Sequence, residues 1–216
     1  MHLKIHLPNG LHIQTITEAG IIGKIGFNSS GVGCTLNAIK ALGVSFTKIP
    51  CHLALRTVLS SSSREAAVEM LEKEGVASAC HILVADVKGG VGLECSSEDI
   101  VRIEMDGKGR VLHTNHFLKE HKEGVVEDQE WWRGSVFRLK REQELVEMVE
   151  KEGVSIERIE GIWQDEVEGG GTCICKKKGD DGIATLFSIV MDLGDRKGRV
   201  KVGRPVEPTE ILTLNL

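Results

Sequence analysis

"HLKIHLPNGLHIQTI", residues 2–16, alternates apolar and polar residues on both sides of Pro8-Asn9-Gly10. Alternation puts every second side chain on one face of a strand, and Pro-Asn-Gly supplies turn chemistry, so the stretch predicts a β-hairpin. The same reading extends outward. "GIIGKIGF" and "VGCTLNAI" flank Asn28-Ser29-Ser30-Gly31 and predict a second hairpin. Two helices should follow, one starting near Pro50, the other in "SSSREAAVEMLEKEG", where Ser62 and Glu65 have capping-box spacing and Gly75 suits the stop.

Strands return in "CHILVADV", "VGLECS" and "DIVRIEM", and Asp106-Gly107 turns the chain into "RVLHTNHFL", read as a further strand. A polar connector over 119–130 leads to a long helix from about Arg133 to Glu152, ended by Gly153, and then to a shorter one in "SIERIEGIWQDEV". Strands "TCIC", "IATLFSIVMDL" and "RVKVG" close the chain. Hairpins imply antiparallel sheets, and amphipathic helices must cover their faces. The expectation is a single α+β domain over residues 1–216, a layered sandwich rather than a doubly wound sheet.

A chain of 216 residues is long enough to bury about 70–75 % of its unfolded surface. Tyr is absent and aromatics make up 4 %, so aliphatic side chains must build the core. The net charge of −5 offers no cationic face, which argues against a nucleic-acid partner. The longest apolar run, "IATLFSIVM", is too short to span a bilayer. The N-terminus has no signal-peptide pattern and the C-terminal "LNL" is not the peroxisomal Ser-Lys-Leu address. A cytoplasmic protein is expected, with a peroxisomal one left open. The cysteines, Cys34, Cys51, Cys80, Cys95, Cys173 and Cys175, then read as reduced and mostly buried.

Three chemistries can be weighed. His113 and His116 stand three apart in "VLHTNHFL", but on a strand such positions face opposite sides, and the further ligands that zinc needs are not nearby. Cys173-x-Cys175 is a weak motif, so no metal is expected. The glycine-rich stretches lack phosphate-binding spacing, and no G-x-S-x-G elbow orders a serine triad. Asn115 is the remaining candidate: a carboxamide at a strand end can donate to an oxyanion, although a turn or cap is the commoner use of asparagine.

"TEAGIIGKIGFNSSGV" (17–32), "PCHLALR" (50–56), "GLECS" (92–96), "GRVLHTNHFL" (109–118), the S-x-x-R-x-x-R of Ser135, Arg138 and Arg141, "ATLFSIVMD" (184–192) and "GRP" (203–205) occur in order along the chain. Together they resemble the acyl-coenzyme A:6-aminopenicillanic acid acyltransferase family, also called isopenicillin N acyltransferase or peptidase family C45. The resemblance implies an N-terminal-nucleophile hydrolase fold, an αββα sandwich, in which a self-processed cysteine transfers an acyl group. It places Asn115 in the oxyanion hole, Ser96 in processing and activity, and Lys176 where the family usually has an arginine. It implies no cofactor, with acyl-CoA admitted as a co-substrate of a small-molecule amide reaction.

The resemblance also implies a nucleophilic cysteine some tens of residues upstream of "TEAGIIGK", followed by an Asn-Trp-Asp segment. Only sixteen residues precede Thr17 and none is cysteine. The expectation is therefore an N-terminally truncated domain lacking the nucleophile and its first strands. Such a chain is the C-terminal part of an acyltransferase or amidohydrolase, a non-catalytic paralogue acting by binding or regulation, or one half of a split enzyme. Unpaired strand edges would favour a homodimer or a complementing N-terminal chain.

Overall fold

The computed structural model describes residues 1–179 and 182–216. Its first sheet has seven strands in sequence order: β1 (His2–His6), β2 (His12–Ile16), β3 (Ile25–Asn28), β4 (Gly33–Ala38), β5 (Cys80–Asp86), β6 (Gly89–Cys95) and β7 (Ile100–Glu104). Every neighbouring pair is antiparallel. The opening hairpin forms as expected, with His6 opposite His12 and Gly10 taking a φ of +84° in the turn. Asn28 fixes the second turn. Its buried side chain donates to Leu59 O and Ser61 O, while its Oδ1 accepts from Ser30 N and Val32 N.

Helices α1 (Cys51–Leu59) and α2 (Arg64–Glu74) cover one face of this sheet. Ile13, Leu55, Leu59, Leu71, Ile82 and Leu93 are fully buried between them. Burying each such side chain contributes roughly 1.5–3 kcal/mol. The cap of α2 is Ser63 rather than Ser62: its hydroxyl accepts from Ala66 N at 3.1 Å. Moving the cap by one residue puts Ala66, not Glu65, at the third helical position, so no capping box forms. Gly75, with φ +70°, ends the helix as read.

The second sheet has the order β10-β9-β8, formed by β8 (Phe187–Asp192), β9 (Lys197–Val202) and β10 (Glu210–Asn215). It packs on the far face of the first through Ile16, Phe27, Val200 and Leu214. The long helix α3 (Gln129–Glu152) begins four residues before its expected start, and α4 (Ile156–Ile162) stops well short of Val167. Helix α4 lies on β8, and its buried Glu160 pairs with Lys201 of β9 at 3.0 Å. Arg141 ties α3 to the segment after α4 with two hydrogen bonds to Asp165, at 2.7 and 3.1 Å. Helices, sheet, sheet and helices thus stack in four layers, the sandwich expected from the sequence.

Three expected strands need correction. "RVLHTNHFL" is irregular loop, "TCIC" makes only the isolated bridge Gly169–Thr172, and "IATLFSIVMDL" is strand only from Phe187 onward. β10 was not anticipated. Among the described residues β8 pairs with β9 alone, which leaves its other edge open. A cavity of about 710 Å³ runs along that edge. Phe187, Ser188 and Ile189 all line it. Successive side chains of a strand face opposite ways, so three consecutive lining residues mark an edge rather than a face. No helix among the described residues is long and apolar enough to cross a membrane.

Candidate active site

The loop that replaces the expected strand over 111–118 owes its shape to buried side chains. Its backbone N–H groups find partners outside any ladder. Asn115 N donates to Ser135 Oγ at 2.6 Å, Phe117 N to Glu127 Oε1 at 3.0 Å, and Leu118 N and Lys119 N to the two oxygens of Glu94. Backbone polar groups must be satisfied somewhere, and here side-chain oxygens from β6, α3 and Glu127 just before α3 do what a neighbouring strand would otherwise do.

Asn115 is held at three points. Besides its backbone bond, its Nδ2 donates to Ala38 O at 2.8 Å and its Oδ1 accepts from Arg138 Nη2 at 2.9 Å. The arginine can only donate and the carbonyl can only accept, so the two partners fix which end of the carboxamide is which. One Nδ2 hydrogen is used on Ala38, and the second has no partner among the described residues. Ser135, buried on α3, also lies 2.8 Å from Thr114 Oγ1 and from His116 Nδ1.

Beneath the loop lies a buried ionic network. Glu94, fully buried on β6, accepts from His113 Nε2 at 2.9 Å and from Leu118 N at 2.5 Å. His121 Nε2 stands 3.5 Å from its other oxygen, an ion-pair distance without hydrogen-bond geometry. Burial alone would raise the Glu94 pKa. The bonds from His113 and Leu118 N, with His121 at ion-pair distance, outweigh it and hold the carboxyl down to about 2. His121 reaches on to Asp99 at 2.7 Å, and burial is again outweighed, by Glu94 and Asp99, so its pKa is raised. His113 stacks on His81 with centroids 3.7 Å apart and planes at 8°. His81, hydrogen-bonded to Asn37 Oδ1 at 2.9 Å, is kept neutral by burial and by His113.

The stack depends on Gly92. A Cβ there would lie 2.5 Å from His81 Nε2 and 3.2 Å from Ile103 and Val111. Gly92→Ala is expected to push His81 off His113 and to cost about 1–3 kcal/mol, the usual range for overpacking. A thermal melt of the variant checks this.

His113 and His116 therefore serve Glu94 and Ser135 respectively, and no group of metal-holding side chains occurs among the described residues. The two side chains stand on an irregular loop, not on the opposite faces of the strand anticipated. Asn115 and Lys176 line one pocket of about 580 Å³, together with Arg138, Cys173 and Thr185. Lys176 is braced there through its backbone, its N–H on Thr185 Oγ1 and its C=O on Thr185 N. Ser96 lies elsewhere, in the β6–β7 turn. Its hydroxyl donates to Asp99 Oδ1 and accepts from Glu98 N and Asp99 N. It does not line this pocket, and is linked through Asp99 and His121 to the Glu94 network instead.

Cys173 is the thiol of this pocket, and it bonds to Cys175 O at 3.3 Å. Burial, Cys175 and nearby glutamates raise its pKa. Burial likewise pushes Cys34 up to about 12, and the thiol of Cys80 together with burial raises Cys51. None of these three is a thiolate at neutral pH.

The fold, with two antiparallel sheets layered between helices, is the one found in solved acylases and amide hydrolases. Solved structures superpose on it at low sequence identity. Penicillin V acylase from Agrobacterium tumefaciens has a TM-score of 0.65 at 11 % identity, covering 100 % of this chain and 75 % of that one. A mutant of conjugated bile acid hydrolase from Clostridium perfringens gives 0.64 at 15 %, covering 95 % and 76 %. The Caenorhabditis elegans orthologue of N-acylethanolamine-hydrolyzing acid amidase gives 0.56 at 14 %, covering 99 % and 86 %.

Sequence relationship narrows this further. Residues 4–207 match the acyl-coenzyme A:6-aminopenicillanic acid acyl-transferase family, and the chain belongs to it. It is 35 % identical over 221 residues to the 40 kDa form of acyl-coenzyme A:6-aminopenicillanic-acid-acyltransferase of Emericella nidulans. That match takes in 99 % of this chain and spans 59 % of the relative's length.

Proposed function

We propose that this chain forms the oxyanion-hole portion of a cysteine acyltransferase or amidohydrolase, and that the nucleophilic cysteine comes from outside these 216 residues. The observation that carries the reading is the three-point clamp on Asn115, which leaves its second Nδ2 hydrogen without a partner among the described residues while the residue lines the pocket. In the reaction so read, a thiolate attacks the carbonyl of an N-acyl amide or an acyl-CoA thioester. A C–S bond forms and the carbonyl oxygen becomes an oxyanion, which accepts from Asn115 Nδ2. Collapse breaks the C–N or thioester C–S bond, and the proton given up by the attacking thiol goes to the departing amine or CoA sulfur. Water or a second amine then attacks the thioester, takes the acyl group and restores the thiol. Splitting one hard step in two is the benefit of the covalent route.

The open edge of β8 and the cavity beside it support a complementing segment: a strand added there would end near the Asn115 pocket, which shares Ile174 and Thr185 with the cavity. A second copy of the chain is the other occupant this edge accepts. Lys176 favours a second reading, a non-catalytic binding protein, because lysine keeps the charge but loses the planar fork that arginine offers a carboxylate. The transcript upstream of Met1 separates the two. An open frame encoding a cysteine and then an Asn-Trp-Asp-like segment supports the acyltransferase. An in-frame stop just before Met1, with no complementing chain, supports the binding protein.

A further inference from the structure

We propose that Arg138 is the specificity-determining residue of the Asn115 pocket and recognises a carboxylate on the ligand. The inference rests on the oxyanion reading of Asn115 and assigns the ligand's charged group to a named side chain. Ser135, Arg138 and Glu142 are spaced three and four apart on α3, so they share one face of the helix. Ser135 takes the Asn115 backbone and Arg138 takes its carboxamide oxygen.

That single bond uses one of five guanidinium N–H donors. The others have no protein partner among the described residues, and Arg138 lines the pocket. A guanidinium stays charged and matches a carboxylate through two parallel bonds. Because Arg138 and Asn115 touch at 2.9 Å, a ligand whose carbonyl oxygen meets Asn115 Nδ2 places a carboxylate only a few bonds away within reach of Arg138. The ligand class is an N-acyl amino acid, or the carboxylate-bearing amine that would accept an acyl group.

Glu142 modulates this charge. It is nine-tenths buried, makes no hydrogen bond among the described residues, and borders the neighbouring apolar cavity. Burial raises its pKa to about 7 against the pull of Arg138. Burial correspondingly lowers that of Arg138, with Glu142 and Cys173 opposing. The other charged or titratable groups around Arg138 are His116 on the loop and Glu130 and Lys176 on the pocket wall. As pH rises through 7, Glu142 ionises and competes with the ligand for Arg138. Carboxylate binding should therefore weaken.

The test is calorimetric titration of the 216-residue chain with N-phenylacetylglycine and with its neutral primary amide. The expected result is at least about tenfold tighter binding of the acid at pH 6, a preference that shrinks above pH 7. Arg138→Gln should abolish the preference and Arg138→Lys should retain part of it, with a melt of each variant verifying the fold. Glu142→Gln should remove the pH dependence. Equal binding of acid and amide, no binding of the acid at millimolar concentration, or a preference surviving in folded Arg138→Gln would overturn the assignment. If Asn115→Ala, made in the enzyme completed by its nucleophile, leaves kcat unchanged while the acid preference of the 216-residue chain stands, the oxyanion reading fails and the role of Arg138 survives.

Discussion

Asn115→Ala, made in the enzyme completed by its nucleophile, is expected to lower kcat by about 10²–10³-fold with little change in KM. A donor that meets charge only as it develops stabilises the transition state by about 3–4 kcal/mol and the bound substrate hardly at all. The fold should tolerate the change. Asn115 is only part-buried, and its backbone bond to Ser135 survives the substitution. Asn115→Asp separates charge from geometry: it keeps the shape and removes the donor, and it should be at least as damaging. Steady-state kinetics on an acyl thioester read both variants.

Glu94→Ala is expected to produce the largest loss of stability, about 3–5 kcal/mol, as for other buried pairs that lose one member. It strips His113, Leu118 N and Lys119 N of their acceptor at once and leaves His121 facing only Asp99. The wild type should reveal the same network in acid. The Glu94 pKa falls from an ordinary 4.5 to about 2 on folding, so the unfolded chain binds the proton more readily. Its contribution is therefore complete above about pH 4.5 and is lost as pH falls toward 2, amounting to about 3 kcal/mol. Urea midpoints measured between pH 6 and pH 2.5 should fall, and Glu94→Gln should flatten that slope. A loosened 111–118 loop would also release Asn115, so a folded Glu94 variant should lose activity together with stability.

Much of the architecture could be read from alternation and turn chemistry. Pro8-Asn9-Gly10 between two alternating runs admits one local solution, and Gly75 and Gly153 stop helices where the apolar period ends. "VLHTNHFL" misled because it alternates like a strand while its N–H groups bond to Glu94, Glu127 and Ser135 from distant segments. Local pattern carries no record of such partners. β10 was missed although Leu212, Leu214 and Leu216 do alternate. Only Leu214 is fully buried there, and the strand is most exposed where it begins.

Asn115 stood out in the sequence as a carboxamide at an expected strand end and Lys176 only through the family resemblance, and the structure places both on one pocket. Glu94 was hidden because a charged residue in a strand reads as a solvent-facing position. Only the three-dimensional partners, His113 and two backbone N–H groups, explain a fully buried carboxylate. The S-x-x-R-x-x-R spacing was visible, and it does mark one helix face. That Arg138 turns to Asn115 while Arg141 turns to Asp165 follows from where the loop and the segment after α4 pass α3.

The central claim is that these residues build an oxyanion hole without containing the nucleophile. Intact-mass spectrometry of the purified chain after incubation with phenylacetyl-CoA tests it most directly, with released CoA thiol followed in parallel. The account predicts an unchanged mass and no thiol release above buffer. A single stoichiometric acyl adduct on one of the six cysteines, turning over as CoA accumulates, would contradict it.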